Sequence, residues 1–321
     1  MTTTAGPVGL VVNPTSGRGR GARAGGRTRE LLVAAGHEVA ELSGETLPDA
    51  VHRARQGVAD GLSALVVVGG DGMVHLGFNA VATTRTPLGI VAVGSGNDYA
   101  RAAGLPLHRV DAAVRVVLDA LAQGSTRAVD AAHVAPPRSL DGRWFAGVLS
   151  AGLDAAVNAS ANRLSFPRGH LKYLRAVVGE LGAFLPFGYR VRADHPDGTT
   201  SEWLSAGTLV AVANSPMFGG GLQVAPGARI DDGELDLVIA GPLRRSQTVG
   251  LFPRLYRGTH ISHPAVTISR TTSVTVEPSD LGRTPPVAMA DCEEIGPLPL
   301  RVEIHRGAVT LLAGRPPTLG A

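Results

Sequence analysis

The chain has 321 residues, 44% hydrophobic and 18% charged, with a formal net charge of +3. That composition suits a folded chain long enough for two cores and excludes an extended disordered one. A single cysteine, Cys292, excludes an internal disulfide framework and a multi-cysteine zinc site. Aromatic residues make up only 4% and no basic run is interleaved with them, so no nucleic-acid partner is expected.

Residues 8–12 read as a buried strand, and the turn Asn13-Pro14-Thr15-Ser16-Gly17-Arg18-Gly19 leads from it into a helix over 23–35. A second strand is expected at 37–42 and a helix at 49–56. Third and fourth strands follow at 65–68 and 88–93, with helices over 74–81 and 111–122. Strands alternating with helices imply a parallel sheet that binds ligands at its carboxyl edge. From about residue 128 the texture changes to short β-like segments at 144–149, 208–213, 235–239, 273–276 and 300–305, interrupted by one helical stretch over 170–184. The expected division is an α/β domain over 1–128 and a mostly antiparallel β domain over 129–321. Residues 1–7 carry no positive segment, the apolar run 8–12 is too short for a signal peptide, and no run approaches the ~20 residues of a membrane span. A cytoplasmic protein is expected.

Two turns stand out. Val66-Val67-Val68-Gly69-Gly70-Asp71-Gly72 and Leu88-Gly89-Ile90-Val91-Ala92-Val93-Gly94-Ser95-Gly96-Asn97-Asp98 each run an apolar strand into glycines that hold an aspartate. Glycines let backbone N–H groups approach a polyanion because no Cβ intervenes, while a carboxylate can hold a divalent cation. Either turn alone is also an ordinary βα loop. Together, at one sheet edge with Asn13-Pro14, they point to a nucleotide phosphate site.

These blocks, with Ser150-Ala151-Gly152-Leu153-Asp154, Val212-Ala213-Asn214-Ser215-Pro216-Met217-Phe218-Gly219-Gly220-Gly221 and 225–236, resemble the diacylglycerol kinase catalytic-domain family, bacterial lipid kinases related to sphingosine and ceramide kinases. The resemblance covers residues 13–312. It implies a three-layer α/β domain with a parallel sheet, like that of NAD kinases. A mostly antiparallel β-sandwich domain follows, its last residues packing back on the first. It also implies ATP as phosphoryl donor and Mg²⁺. The nucleotide contacts it carries over are Asn13, Pro14, Thr15, Ser16 and Gly17; Ser43; Gly69, Gly70, Asp71, Gly72, Met73, Val74 and His75; and Gly94, Ser95, Gly96, Asn97 and Asp98. The block Asp291-Cys292-Glu293-Glu294 is similar to the family's Asp-Gly-Glu block and aligns Glu293 with the catalytic base, with Asp71 as the other catalytic carboxylate. Asp98 and Asp154 would extend an acidic network. A second Mg²⁺ would be structural, held by the Asp232 carboxylate and the carbonyls of Arg229 and Glu234.

Several positions depart from the family pattern. Met73 stands where a Thr is usual and Leu76 where a Glu is usual. His170 replaces a Lys, with Lys172 two positions on. Cys292 replaces a Gly, so its backbone is expected to avoid positive φ. Without the resemblance, Glu293 reads as a surface carboxylate, Asp232-Gly233 as a plain turn and Arg18–Arg29 as a solvated helix face. The apolar spacing over 171–187 reads as core, or as the wall of an acyl-chain cleft. The function expected is an ATP-dependent lipid kinase acting on diacylglycerol or a related lipid, peripheral at the inner membrane face, with a homodimer left open. Two alternatives are a kinase of a soluble acceptor such as NAD or a polyol, and a catalytically silent nucleotide- or lipid-binding homologue, the latter motivated by Met73 and Leu76.

Overall fold

The computed structural model describes residues 6–139, 141–163, 175, 179–180 and 185–313. The chain divides into two compact units. One is 6–131 with 230–232 and 305–313; the other is 132–229 with 233–304.

The first unit alternates β1 (Val8–Val12), α1 (Ser16–Ala34), β2 (Val39–Glu41), α2 (Leu47–Ala59), β3 (Ala64–Gly69), α3 (Asp71–Val81), β4 (Leu88–Ala92), α4 (Asp98–Ala102) and α5 (Val110–Gln123). Its strands are parallel in the order β2-β1-β3-β4. β3 is an unbroken apolar run buried throughout, as expected of a strand covered on both faces. On one face, Ala24 and Leu32 of α1 and Val114 and Val117 of α5 pack on Leu10, Val66, Val68 and Val91. The other face carries α3, whose Gly77 lies directly over Leu88 and Val67, and α3 in turn packs against α2. That makes three layers. Local signals set the helix ends: the Thr46 hydroxyl accepts the Asp49 N–H at the start of α2, and Gly124 closes α5 with a φ of 63°. The final segment joins this sheet, with Leu311 paired to Leu88 and the Gly307 N–H donating to Asp130 Oδ1 at 2.7 Å.

α1 starts seven residues before the expected 23, yet Gly17, Arg18 and Gly19 within it have left-handed φ of 59°, 61° and 85°. The regular helix therefore begins only after them, which is why the sequence read that stretch as a turn.

In the second unit β5 (Arg127–Ala135) enters from the first and is followed by β6 (Arg143–Phe145), β7 (Val148–Gly152), α6 (Leu153–Arg163), β8 (Phe187–Asp194), β9 (Thr200–Gly207), β10 (Leu209–Ala213) and β11 (Leu235–Ala240). The remaining elements are α7 (Arg245–Leu255), a 3₁₀ turn (Thr259–Ser262), β12 (Val266–Thr271), β13 (Ser273–Pro278), β14 (Ala288–Ala290), β15 (Glu293–Gly296) and β16 (Leu300–Leu311). One antiparallel sheet runs β12-β11-β10-β7-β14-β15. Opposite it lie β9, β8, β13 and the start of β16, also antiparallel. Side chains at alternate positions, among them Leu149, Val210, Val212, Leu237, Val191 and Val274, fill the space between these two layers. Tyr189, fully buried there, satisfies its hydroxyl on the Ala151 carbonyl at 2.7 Å.

The segment 144–149, read from sequence as one strand, is two. The chain breaks at Ala146 and Gly147, whose N–H groups leave the ladder to donate to the Asp291 carboxylate at 2.9 and 2.8 Å. The helix expected over 170–184 falls outside the described residues except Arg175, Gly179 and Glu180, which are helical. His170, Lys172 and most of the apolar spacing over 171–187 lie outside them too.

Candidate active site

The order β2-β1-β3-β4 places a reversal between β1 and β3: the chain leaves β1 toward one side of the sheet and β3 toward the other. Crevices open at the carboxyl ends of such strands. The three glycine-bearing turns converge there. A Cβ on Gly17 would sit 2.1 Å from the Val93 carbonyl oxygen, one on Gly69 3.0 Å from Ser16 Oγ, and one on Gly94 2.3 Å from Gly70 Cα. Side chains at these positions would push the turns apart. The glycines are thus required by mutual approach as much as by access to a ligand.

Asn13 organises the first turn. Its Oδ1 accepts the Thr15 N–H at 3.0 Å and the Thr15 hydroxyl at 2.8 Å, while its own N–H extends the sheet by donating to the Val68 carbonyl. Ser43 comes to the same edge, its hydroxyl accepting the Val12 N–H at 2.9 Å. Gly70 caps α3, and Asp71 and Gly72 form its first turn, where the helix dipole and outward N–H groups favour an anion. Asp71 Oδ1 accepts the Tyr99 N–H at 3.1 Å, which ties the carboxylate to the start of α4.

The second turn is held by Asn97, a buried residue in the left-handed region at φ 56°. Its Nδ2 donates to the Gly94 carbonyl at 3.0 Å and faces His108 Nε2 at 3.4 Å. Its Oδ1 is buried with no hydrogen-bond partner, close beside Gly94. Asp98 follows, buried at the head of α4. The structure therefore brings Asn13 to Gly17, Ser43, Gly69 to Gly72 and Gly94 to Asp98 to one edge of the first unit. Met73, Val74 and His75 belong to the same helix, but their side chains are buried, as is that of Leu76. Met73 packs against Gly69. The two departures from the family pattern are thus core residues here, and a ligand contact from this helix falls to its first turn, the backbone and the Asp71 side chain.

In the second unit, β14 and β15 form a tight hairpin around Asp291, Cys292 and Glu293. The Asp291 carboxylate spans the N–H groups of Ala146 and Gly147, anchoring the hairpin to the break between β6 and β7. Asp291 and Cys292 have φ of 51° and 71°. The expectation that Cys292 avoids positive φ is therefore corrected: the hairpin imposes the left-handed conformation, and the exposed cysteine bears its Cβ strain. Glu293 opens β15, half-buried, opposite Ala290.

Sequence reasoning missed a cavity of about 110 Å³ on the outer face of the β7-β10-β11 sheet, lined by Val157, Leu209, Phe218, Leu251 and Phe252 among others. Its few polar groups include Asp154 and His260. Asp154, in the first turn of α6, has both carboxylate oxygens shielded from solvent with no hydrogen-bond partner. Burial pushes this carboxyl up to about 6, offset in part by the nearby Ser150 hydroxyl and Ala155 N–H. His260 donates from Nε2 to the Val224 carbonyl at 3.0 Å and leaves Nδ1 without a partner; burial holds its pKa below the usual value. Apolar residues at helical spacing in 251–255 were a signal for this cavity. Its other walls come from strands and turns far apart in the chain.

Of the residues expected to hold a structural metal, Glu234 directs its carboxylate to Arg270 at 3.1 Å. Gly233 turns the chain there with a φ of 79°. In the first unit Asp231 pairs with Arg127 at 2.7 Å, and Asp232 follows it in that turn. Among the described residues no group of three or more His, Cys, Asp or Glu side chains is gathered to hold a metal ion.

Residues 7–134 match the diacylglycerol kinase catalytic domain, and residues 147–313 match the YegS C-terminal NAD kinase beta sandwich-like domain. A diacylglycerol kinase of Mycobacterium tuberculosis is 33% identical over 310 residues, which cover 97% of this chain and 96% of that protein. A diacylglycerol kinase of Bacillus subtilis is 25% identical over 274 residues, covering 84% and 86%. A solved structure described as a diacylglycerol kinase from Bacillus anthracis aligns over 98% of this chain and 99% of its own, with a TM-score of 0.67 at 18% identity, and so shares the fold. Glycine–aspartate turns at a parallel-sheet edge, followed by this β domain, make the chain a member of the diacylglycerol kinase family of phosphotransferases.

Proposed function

We propose that the protein transfers the γ-phosphoryl group of ATP to a hydroxyl of diacylglycerol or a related lipid. The observation that carries the lipid half of this reading is the apolar cavity of the second unit, which places a shielded carboxyl, Asp154, among aliphatic and aromatic walls. Such a cavity suits a hydrocarbon chain bearing a hydroxyl and is poorly suited to a polyol or a dinucleotide. A kinase of soluble acceptors is accordingly the weaker reading.

On this reading the turns 13–17, 70–72 and 94–98 cradle the phosphates with backbone N–H groups. Asp71 and Asn97 Oδ1 supply oxygen donors of the kind Mg²⁺ takes. Mg²⁺ bound there would neutralise charge on the transferring phosphate. Asp98 adds negative charge beside the cation in the first unit; Asp154 meets the acceptor in the second. Glu293 accepts the proton of the lipid hydroxyl, a weak nucleophile that a positioned carboxylate assists. The Asp232 carboxylate, with the carbonyls of Arg229 and Glu234, would hold a second, structural Mg²⁺. The ion pair of the Glu234 side chain with Arg270 accords with its contributing a carbonyl. No helix of the described residues is long and apolar enough to cross a membrane. On the lipid-kinase reading the enzyme meets its substrate from the cytoplasmic side, at the inner membrane face, as a peripheral protein.

The test is turnover of labelled ATP on vesicles carrying diacylglycerol, ceramide, sphingosine or phosphatidylglycerol. Asp71→Asn and Glu293→Gln should each abolish lipid phosphorylation while leaving the thermal unfolding curve in place. Turnover on NAD or a polyol, with none on any lipid, would transfer the assignment to the soluble reading.

A further inference from the structure

The outer face of α7 and the 3₁₀ turn after it combine exposed apolar side chains with exposed arginines. Val249, Tyr256 and Ile261 expose 53%, 45% and 45% of their surface. Val249 and Tyr256, seven residues apart, share one helix face. Around them Arg244, Arg254 and Arg257 are all exposed. Residues 237–269 hold four arginines and not one aspartate or glutamate. Arg254 meets a neutral group, the Ser262 hydroxyl at 3.5 Å.

Several arginines elsewhere lie against carboxylates. On α1, Arg27 pairs with Asp111 and Glu30, and Arg29 with Glu41. On the sheet face of the second unit, Arg190 pairs with Glu202, and Arg301 with Glu303. An acid-free stretch with exposed arginines gives α7 a charge complementary to an anionic partner. Its exposed aromatic and aliphatic side chains call for a partner that also takes apolar groups. An anionic bilayer surface offers both. The inner face of the same helix supplies Leu251, Phe252 and Leu255 to the apolar cavity, and Phe252 packs edge-on against Tyr256 with ring centroids 6.0 Å apart. The exposed patch and the cavity wall are thus two sides of one helix.

We propose that α7 and the 3₁₀ turn, through Val249, Tyr256, Ile261 and the arginines around them, dock the protein on an anionic lipid bilayer by the helix that walls its apolar cavity. This rests on the lipid-kinase reading for its purpose but is measured without turnover. In co-sedimentation, the full-length protein should bind vesicles containing phosphatidylglycerol, bind pure phosphatidylcholine vesicles weakly, and lose the difference at high salt. The pair Arg254→Gln with Arg257→Gln should weaken partitioning about 25-fold, at about fivefold for each arginine near an anionic surface. The pair Val249→Ser with Tyr256→Ser should weaken binding to both vesicle types. Arg190→Gln with Arg192→Gln, on the sheet face, should bind as wild type does.

All variants should keep the wild-type unfolding curve and the wild-type rate on a short-chain acceptor dispersed as monomers. Wild-type vesicle binding by both α7 variants overturns the proposal, as does failure of the wild type to prefer anionic vesicles. A dimer lost in the α7 variants with no change in vesicle binding also overturns it. Docking that follows α7 in a protein that phosphorylates no lipid would leave the surface standing and remove only the kinase reading.

Discussion

Gly94→Ala tests whether the two glycine–aspartate turns truly rest on each other. A Cβ at this position would lie 2.3 Å from Gly70 Cα and 2.9 Å from both Gly70 N and Asn97 Oδ1. Carbon atoms in contact prefer about 3.5–4.0 Å. The turns would have to separate by more than an ångström, and two of the obstructing atoms are backbone, which cannot step aside by a rotamer change. Overpacking of this kind costs about 1–3 kcal/mol, and the backbone obstruction places this case toward the top. For a chain of this size that corresponds to a fall in Tm of roughly 2–4 °C per kcal/mol. The nucleotide should suffer more than the fold, because ~1 Å of misplacement at a reacting phosphate costs about a hundredfold in rate. Gly26→Ala is the control. It lies exposed in α1 with no atom within 4 Å of the added Cβ, so it should be neutral or stabilising by up to ~1 kcal/mol. Both substitutions restrict the unfolded chain alike, so their difference in denaturation midpoint and in nucleotide affinity reports the close approach. Equal midpoints and equal affinities for the two variants would refute the convergence described here.

Three further outcomes are expected. Cys292→Gly should raise stability by about 1 kcal/mol, because a Cβ is removed from a residue at φ 71°; an unchanged or lower urea midpoint would count against strain at this hairpin. Asp291→Asn replaces one of two acceptor oxygens with a donor facing a backbone N–H, at a cost of about 1–3 kcal/mol, and should lower kcat by displacing Glu293; wild-type stability would show that the Ala146 and Gly147 bonds contribute nothing. The Asp154 carboxyl is raised from 3.8 to about 6 by burial, so the folded protein holds a proton that the unfolded chain releases. Its contribution is favourable below pH 4 and is lost as the pH rises to about 6, by up to about 3 kcal/mol. Asp154→Asn should flatten that part of the stability-against-pH curve, and an identical slope in both proteins over pH 4–6 would remove the shielded-carboxyl reading.

The edge proposed to bind phosphate was readable in the chain because its pattern is local. A parallel strand buried on both faces must be an apolar run, and a backbone that approaches an anion needs glycine; both leave marks within seven consecutive residues, as in Val66–Gly72. The order of blocks added the second domain. Less legible were the roles of residues whose environment is made elsewhere. Met73 and Leu76 looked like losses of site chemistry, yet both are core, since α3 turns those positions toward the sheet.

The residue sequence alone determined the alternation of strands and helices in the first unit, the β-rich character of the second and the glycine–aspartate turns, because side-chain period and backbone freedom are properties of neighbouring residues. Tertiary structure alone decided that Gly17 meets Val93 and Gly94 meets Gly70, that Asp291 breaks a strand 145 residues away, and that Cys292 adopts a glycine conformation. It alone assembled the cavity around Asp154 from helix, strand and turn. Shielding and close approach arise only where distant segments pack, and no local pattern encodes which segments those are.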